Sequence, residues 1–219
     1  MAIISCIMKS VILGAGTYGE VYLSYLLEAG IEVIGFLDDN VQLYCSSVRG
    51  IPILGDIKQL ERLKDTIGVR AVYCPIGNNK IRVKLLQYAR SLGYETPNYI
   101  HPSVIISPNV EIGNGVYILL GTTIMPYTRI EDFVMISMGV HIAHHTLLKR
   151  GTFISTGVNF GASIIAEEYV YCGISSTVMT GIHSLGEDCL IGAGAVVIKD
   201  VPAKAVMTGV PAQVLKYKG

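Results

Sequence analysis

Hydrophobic positions in the second half of the chain fall on a six-residue beat. Every sixth residue from Ile106 is apolar: Ile106, Ile112, Ile118, Ile124, Ile130, Ile136, Ile142, Leu148, Ile154, Phe160, Ala166, Cys172 and Val178. After a one-residue slip near 181–183 the beat resumes at Leu185, Ile191 and Val197. The position two residues before each beat is also restricted, running from Val104 and Val110 through Thr146 and Val158 to Ser176. A helix repeats at about 3.6 residues and a lone strand at about 2, so neither gives this double register. A coil of short parallel strands does. Three flat faces per turn, each with one large and one small inward residue, stack side chains into columns around a dry core. The pattern predicts a parallel β-helix over residues 101–219.

The first half, residues 1–100, reads as a small α/β domain. Val11-Ile12-Leu13 is a buried-strand run, followed by the glycine-rich turn Gly14-Ala15-Gly16-Thr17-Tyr18-Gly19. A helical apolar pattern spans 20–29 and stops at Gly30, and a second strand over 31–37 closes on Asp38-Asp39-Asn40. This is a βαβ unit whose turn lets backbone N–H groups approach a diphosphate at a helix N-terminus. A further helix is expected over 57–63, a third strand over 69–76 and a helix over 81–92. Gly14, Gly16, Thr17, Tyr18, Asp38, Asp39, Asn40, Gly77 and Asn78 are therefore candidate ligand residues. Gly77 and Asn78 follow a strand end, where open α/β sheets hold ligands; capping of the next helix by Asn78 explains the same residues. A nucleotide sugar, NAD and a purely structural turn all fit the glycines. Only about 90 residues precede the coil, half of a full dinucleotide-binding sheet, which favours the nucleotide sugar.

Charge is balanced, Lys+Arg 17 against Asp+Glu 17, so there is no bulk electrostatic case for nucleic acid. No apolar run reaches the length of a membrane span, and no membrane insertion is expected. The 51% hydrophobic share fits a stacked coil with buried subunit interfaces. The five cysteines lack paired spacing, and Cys172 and Cys189 fall on inward positions, as expected of a reducing, cytoplasmic setting. Residues 1–7 are short and lack a basic lead, so they read as an extension ahead of a possible start at Met8 rather than a signal peptide.

One coil breaks the bland run of outward turns: His141-Ile142-Ala143-His144-His145. His144 and His145 fall on the turn after the beat, facing outward. Zinc binding, a surface cluster and a general base are the three readings. Strand alternation is expected to send the rings apart, against the convergence a metal needs, and a base at neutral pH is the task His suits best.

From about Lys9 the chain resembles the NeuD/PglD-like family of hexapeptide sugar acetyltransferases. The segments GAGTYG, FLDDN, GIPILG, the 76–82 run, IHPSV, the repeat, the histidine coil and GAGAVVIKDVPAKAVMTGVPA occur in that order. The resemblance implies a left-handed β-helix behind a Rossmann-like half domain, a homotrimer, and acetyl-CoA as co-substrate with no metal. It implies transfer to the amine of a nucleotide-linked 4-amino-4,6-dideoxy sugar. Other members acetylate a sialic acid hydroxyl, and a zinc hydratase on a β-helix trimer is the alternative from another reaction class. The family's catalytic histidine falls on His144, with His145 at a position often acidic. A second histidine found one strand later in some members is replaced by Phe153. Coenzyme A access maps to Gly161, Ala162, Gly173, Gly192, Ala193 and Gly194, and an oxyanion-binding N–H is expected near Gly161–Ala162.

Overall fold

The computed structural model describes residues 8–219. The expectation about residues 1–7 lies outside them. The chain forms two compact units, one ending at Pro97 and the other beginning at Asn98.

The first unit holds a three-stranded parallel sheet. Its elements are β1 (Ser10–Leu13), α1 (Thr17–Glu28), β2 (Val33–Leu37), a small hairpin of β3 (Ser47–Val48) and β4 (Ile51–Pro52), α2 (Leu60–Thr66), β5 (Ala71–Tyr73) and α3 (Asn79–Ser91). Strand order is β2-β1-β5. β1 is buried along its whole length because it is central, and Tyr22, Leu23 and Leu26 of α1 are buried with it. Gly30 ends α1 at φ +74°, with its N–H on the Leu27 carbonyl and that of Ile31 on Leu26. Such a left-handed residue closes a helix without the penalty a Cβ would add. α1 begins three residues earlier than the apolar pattern suggested. The third strand covers only 71–73, since Pro75 has no N–H to extend the ladder.

The second unit is a left-handed parallel β-helix, and the six-residue beat is its inward register. The first face stacks Ile105–Ile106, Thr123–Ile124, His141–Ile142, Asn159–Phe160, Thr177–Val178 and Val196–Val197. The second stacks Glu111–Ile112, Arg129–Ile130, Leu147–Leu148, Ile165–Ala166 and Ser184–Leu185. The third runs from Tyr99–Ile100 to Leu190–Ile191 and ends with Ala205–Thr208 and the antiparallel Gln213–Tyr217. Ile118, Ile136, Ile154, Cys172 and Ile191 form one inward column, each essentially without solvent contact. Burying a side chain of isoleucine size contributes about 1.5–3 kcal/mol, so the columns dominate the stability of this unit.

The smaller inward position tolerates Thr for a specific reason. Hydroxyls of Thr122, Thr146 and Thr152 donate to the carbonyls of Ser137, Gly161 and Glu167, each at a coil corner. A buried hydroxyl so bonded avoids the cost of an orphaned polar group. The expected slip is present: Ile165 pairs with Ser184 rather than with residue 183. Gly181 takes φ +102° there, and Asp200 accepts from the N–H groups of His183 and Ser184 at 2.6 and 3.1 Å. No helix among the described residues is long and apolar enough to cross a membrane.

Candidate active site

Because β2, β1 and β5 are parallel, their carboxyl ends bring three loops to one sheet edge. The first is the glycine-rich turn. Gly14 has φ +94°, and a Cβ on it would lie 3.0 Å from Ile76 Cγ1, so the first and third loops touch. A Cβ on Gly19 would overlap the Gly14 carbonyl oxygen, and this glycine is required for α1 to pack on its strand. Gly16 differs. Its φ is an ordinary −77°, a Cβ there would meet open space, and as N-cap of α1 it offers no side-chain bond. The N-cap of this twelve-residue helix thus supplies no side chain to the first-turn N–H groups, and Gly16 and Thr17 beside them are exposed.

Asp38 ties the second loop to the first. Its Oδ2 accepts from the Ala15 N–H at 2.8 Å and its Oδ1 from the Asn40 N–H at 2.9 Å. Asp39 Oδ1 accepts from the Ile57 N–H at 3.0 Å, and Asn40 Oδ1 from Gln42 at 3.1 Å. Asn78 caps α3 by accepting from the Ile81 N–H at 3.1 Å, the structural alternative raised for it. The third loop is held from below by Arg82, which is fully buried. Its guanidinium donates to the Ile76 carbonyl at 2.8 Å and to Asn79 Oδ1 at 3.1 Å. Sequence reasoning registered Arg82 only as the end of the 76–82 run. A long cation in the first turn of an amphipathic helix, just after a glycine loop, was the available signal.

In the second unit, His144 and His145 sit on the corner between the first and second faces, both exposed. The expected divergence holds for His141, whose ring goes to Thr123, but not for His144 and His145. Their Nδ1 atoms are 3.0 Å apart and the rings meet edge to face, with centroids 5.1 Å apart. The cause is the backbone. His145 adopts φ +57°, which turns its side chain back toward its neighbour, and its N–H donates to the Pro126 carbonyl of the preceding coil. Tyr127, at φ +63° one coil below, supports the His145 ring at 4.8 Å between centroids. His141 lies on the outward side of the first face with Nδ1 2.7 Å from Thr123 Oγ1. Phe153 is buried on the third face, edge-on to Tyr171, away from this corner.

The six residues assigned to coenzyme A rim the first face. Gly161 and Ala162 lie on its corner with the second face; Gly173 and Gly192 to Gly194 lie on its corner with the third. Stacking alone demands glycine at three of them. A Cβ on Gly161 would fall 2.5 Å from Thr180 N, one on Gly173 2.7 Å from Ala193 N, and one on Gly192 2.9 Å from the Met207 carbonyl oxygen. Their N–H groups are also committed: Gly161 donates to the Val178 carbonyl at 2.8 Å and Ala162 to Thr180 Oγ1 at 3.1 Å. An oxyanion donor at either N–H, as expected from sequence, is therefore already engaged. Between the rims runs an open groove of about 390 Å³. Ala143 and Gly161 form a notch in its wall between the exposed side chains of Met125 and Met179. Cys172 and Cys189 are buried, and loss of hydration pushes the Cys189 thiol up to about 12 and raises that of Cys172. Neither thiol can serve as a nucleophile toward an acyl group.

Residues 9–89 match the PglD N-terminal domain family. The structure superposes on a histidine-to-alanine mutant of GDP-perosamine N-acetyltransferase from Caulobacter crescentus, in complex with CoA and GDP-perosamine, with a TM-score of 0.89. Sequence identity is 30%, covering 96% of this chain and 98% of that one. The acetyltransferase domain of PglB from Neisseria gonorrhoeae superposes with a TM-score of 0.86 at 27% identity, covering 94% and 99% of the two chains. Among curated relatives, 2,3,4,5-tetrahydropyridine-2,6-dicarboxylate N-acetyltransferase of Enterococcus faecalis is 44% identical over 55 residues. That match spans 25% of this chain and 23% of the enzyme, so the chain covers about a quarter of the relative's length. With the α/β unit, the β-helix and near-complete coverage at this identity, the chain belongs to the NeuD/PglD-like family of hexapeptide-repeat sugar acetyltransferases.

Proposed function

We propose that the protein transfers the acetyl group of acetyl-CoA to the amine of a nucleotide-linked 4-amino-4,6-dideoxy sugar. The observation that carries the mechanism is the 3.0 Å contact between the Nδ1 atoms of His144 and His145. A hydrogen bond between two ring nitrogens needs one donor and one acceptor. If His144 donates from Nδ1, its Nε2 is left unprotonated and outward, the form required of a base. His145 then accepts at Nδ1, holds the tautomer, and takes the place of the carboxylate that orients such a histidine elsewhere.

His144 Nε2 removes a proton as the sugar amine attacks the thioester carbonyl of acetyl-CoA. The tetrahedral intermediate collapses with loss of the thiolate, which recovers the proton as CoA thiol. Direct transfer in a ternary complex is consistent with the buried, protonated cysteines. The groove on the first face, rimmed by Gly161, Ala162, Gly173, Gly192, Ala193 and Gly194, receives the coenzyme arm, with the notch at Ala143 and Gly161 for the acyl end. The nucleotide diphosphate docks at the N-terminus of α1, with Asp38, Asp39 and Asn40 toward base and ribose and Gly77 and Asn78 toward the sugar phosphate. Complexes of the Caulobacter enzyme with CoA and GDP-perosamine support both co-substrates and favour an amine over a hydroxyl acceptor.

The working assembly is a closed cytoplasmic homotrimer, in which exposed apolar residues of the coil such as Ile105, Met138 and Ile174 find cover. The test is a panel of UDP-, dTDP- and GDP-linked 4-amino sugars with acetyl-CoA, followed by thiol release and the mass of the product. One of them gains a single acetyl group on nitrogen. Absence of transfer to all of them, or transfer to oxygen, overturns the reading.

A further inference from the structure

The Gly161 and Ala162 N–H groups, expected from sequence to hold an oxyanion, are both engaged, and the residue that occupies the second supplies a donor of its own. The Ala162 N–H donates to Thr180 Oγ1 at 3.1 Å. Thr180 is exposed and lines the groove that contains Ala143 and Gly161. As an acceptor from Ala162, its hydroxyl keeps its proton available, and a hydroxyl that accepts one bond is polarised to donate the next.

Position follows from the stacking. The Ser163 N–H donates to the His144 carbonyl at 2.9 Å, so the coil carrying Ala162 lies directly over the His144 corner. Thr180 belongs to the next coil, and its hydroxyl reaches down to the Ala162 level. Its Oγ1, 3.1 Å from the Ala162 N, thus lies between one and two strand spacings, about 5–10 Å, above the His144 level. A carbonyl held in the notch between them would meet a base on one side and an O–H donor on the other.

We propose that the Thr180 hydroxyl is the oxyanion donor of the acetyl transfer. This rests on the acetyltransferase reading above and names a further catalytic residue for it. As the amine nitrogen bonds to the acyl carbon, the carbonyl π pair moves to oxygen. Thr180 O–H donates to that oxygen while His144 Nε2 takes the amine proton. When the carbonyl re-forms, the C–S bond breaks and the CoA thiolate leaves with the proton that His144 carried. Thr180 keeps its own proton throughout, so the balance closes with the amide and CoA thiol as products.

The experiment compares Thr180→Val, which keeps shape without the hydroxyl, with Thr180→Ser, which keeps the hydroxyl. His144→Ala is run beside them on the full chain, by thiol release with acetyl-CoA and the accepted amino sugar. Thr180→Val should lower kcat by about 10- to 100-fold, below the loss typical of an enclosed donor because the groove is open. KM for acetyl-CoA should stay close to that of the unaltered protein, Tm should fall by no more than the loss of the one bond from the Ala162 N–H entails, and Thr180→Ser should recover most of the rate. Unchanged or raised kcat in Thr180→Val overturns the proposal, since the hydroxyl then only staples the Ala162 N–H. So does an equal loss in Val and Ser variants accompanied by a fall in Tm. In both cases His144→Ala still separates the two ideas: its loss of rate leaves the acetyltransferase reading standing without Thr180. Absence of transfer by the unaltered protein removes both.

Discussion

His144 and His145, adjacent in sequence, face each other through Nδ1 at 3.0 Å because His145 takes a left-handed backbone conformation. This makes one of them the orienting partner of the other. Replacing His145 by Ala removes the partner but not the base, and kcat should fall by about tenfold. His145→Glu restores an acceptor at the same corner and should retain more activity than His145→Ala. Steady-state rates of the two variants check the order. If His145→Ala proves more damaging than His144→Ala, their roles are reversed.

Asp38 has two duties that separate experimentally. Asp38→Ala removes the acceptor of the half-buried Ala15 and the exposed Asn40 N–H groups, at a cost of about 0.5–1.5 kcal/mol per bond at most. A lowered Tm is therefore expected whether or not a ligand binds. The substrate role adds a rise in KM for the nucleotide sugar with little change in kcat, the mark of uniform binding. A fall in Tm with unchanged KM would leave Asp38 as a loop tie alone.

Glycines 16 and 19 should respond in opposite ways. Gly19→Ala forces a methyl onto the Gly14 carbonyl and should destabilise the first unit by about 1–3 kcal/mol. Gly16→Ala meets nothing in the protein, so Tm should hold while affinity for the nucleotide sugar drops. Calorimetry with substrate titration distinguishes them. Unaltered affinity in Gly16→Ala would place the diphosphate elsewhere.

Thiol chemistry offers a separate check on direct transfer. Cys45 is exposed, whereas Cys74, Cys172 and Cys189 are buried. Burial pushes the Cys74 thiol up to about 12, as it does that of Cys189. Alkylation of the folded protein should mark Cys45, spare these three and leave the transfer rate unchanged. An acetylated cysteine trapped with acetyl-CoA alone would contradict direct attack.

The coil was legible residue by residue, since its two-column beat is written in Ile118, Ile136 and Ile154 and in the Val and Thr positions before them. The slip at 181–183 was legible for the same reason. What periodicity could not show was the path of side chains at a corner. It places His144 and His145 outward but says nothing of a positive φ at His145, which decides that the rings meet. Nor does it reveal which corner N–H groups are spent, because the Ala162 bond to Thr180 joins residues eighteen apart through a side chain. In the α/β unit the glycine turn was plain and Gly16 was a candidate where Gly19 was not, but only packing shows Gly19 to be sterically required and Gly16 free.

The most direct test of the account is thiol release by His144→Ala, with acetyl-CoA and the accepted nucleotide-linked amino sugar, alongside equilibrium binding of both. Loss of the base should lower kcat by about two to four orders of magnitude while both ligands bind nearly as before. A rate equal to that of the unaltered protein, with binding intact, would show that the amine reacts by positioning alone and that His144 is not the base.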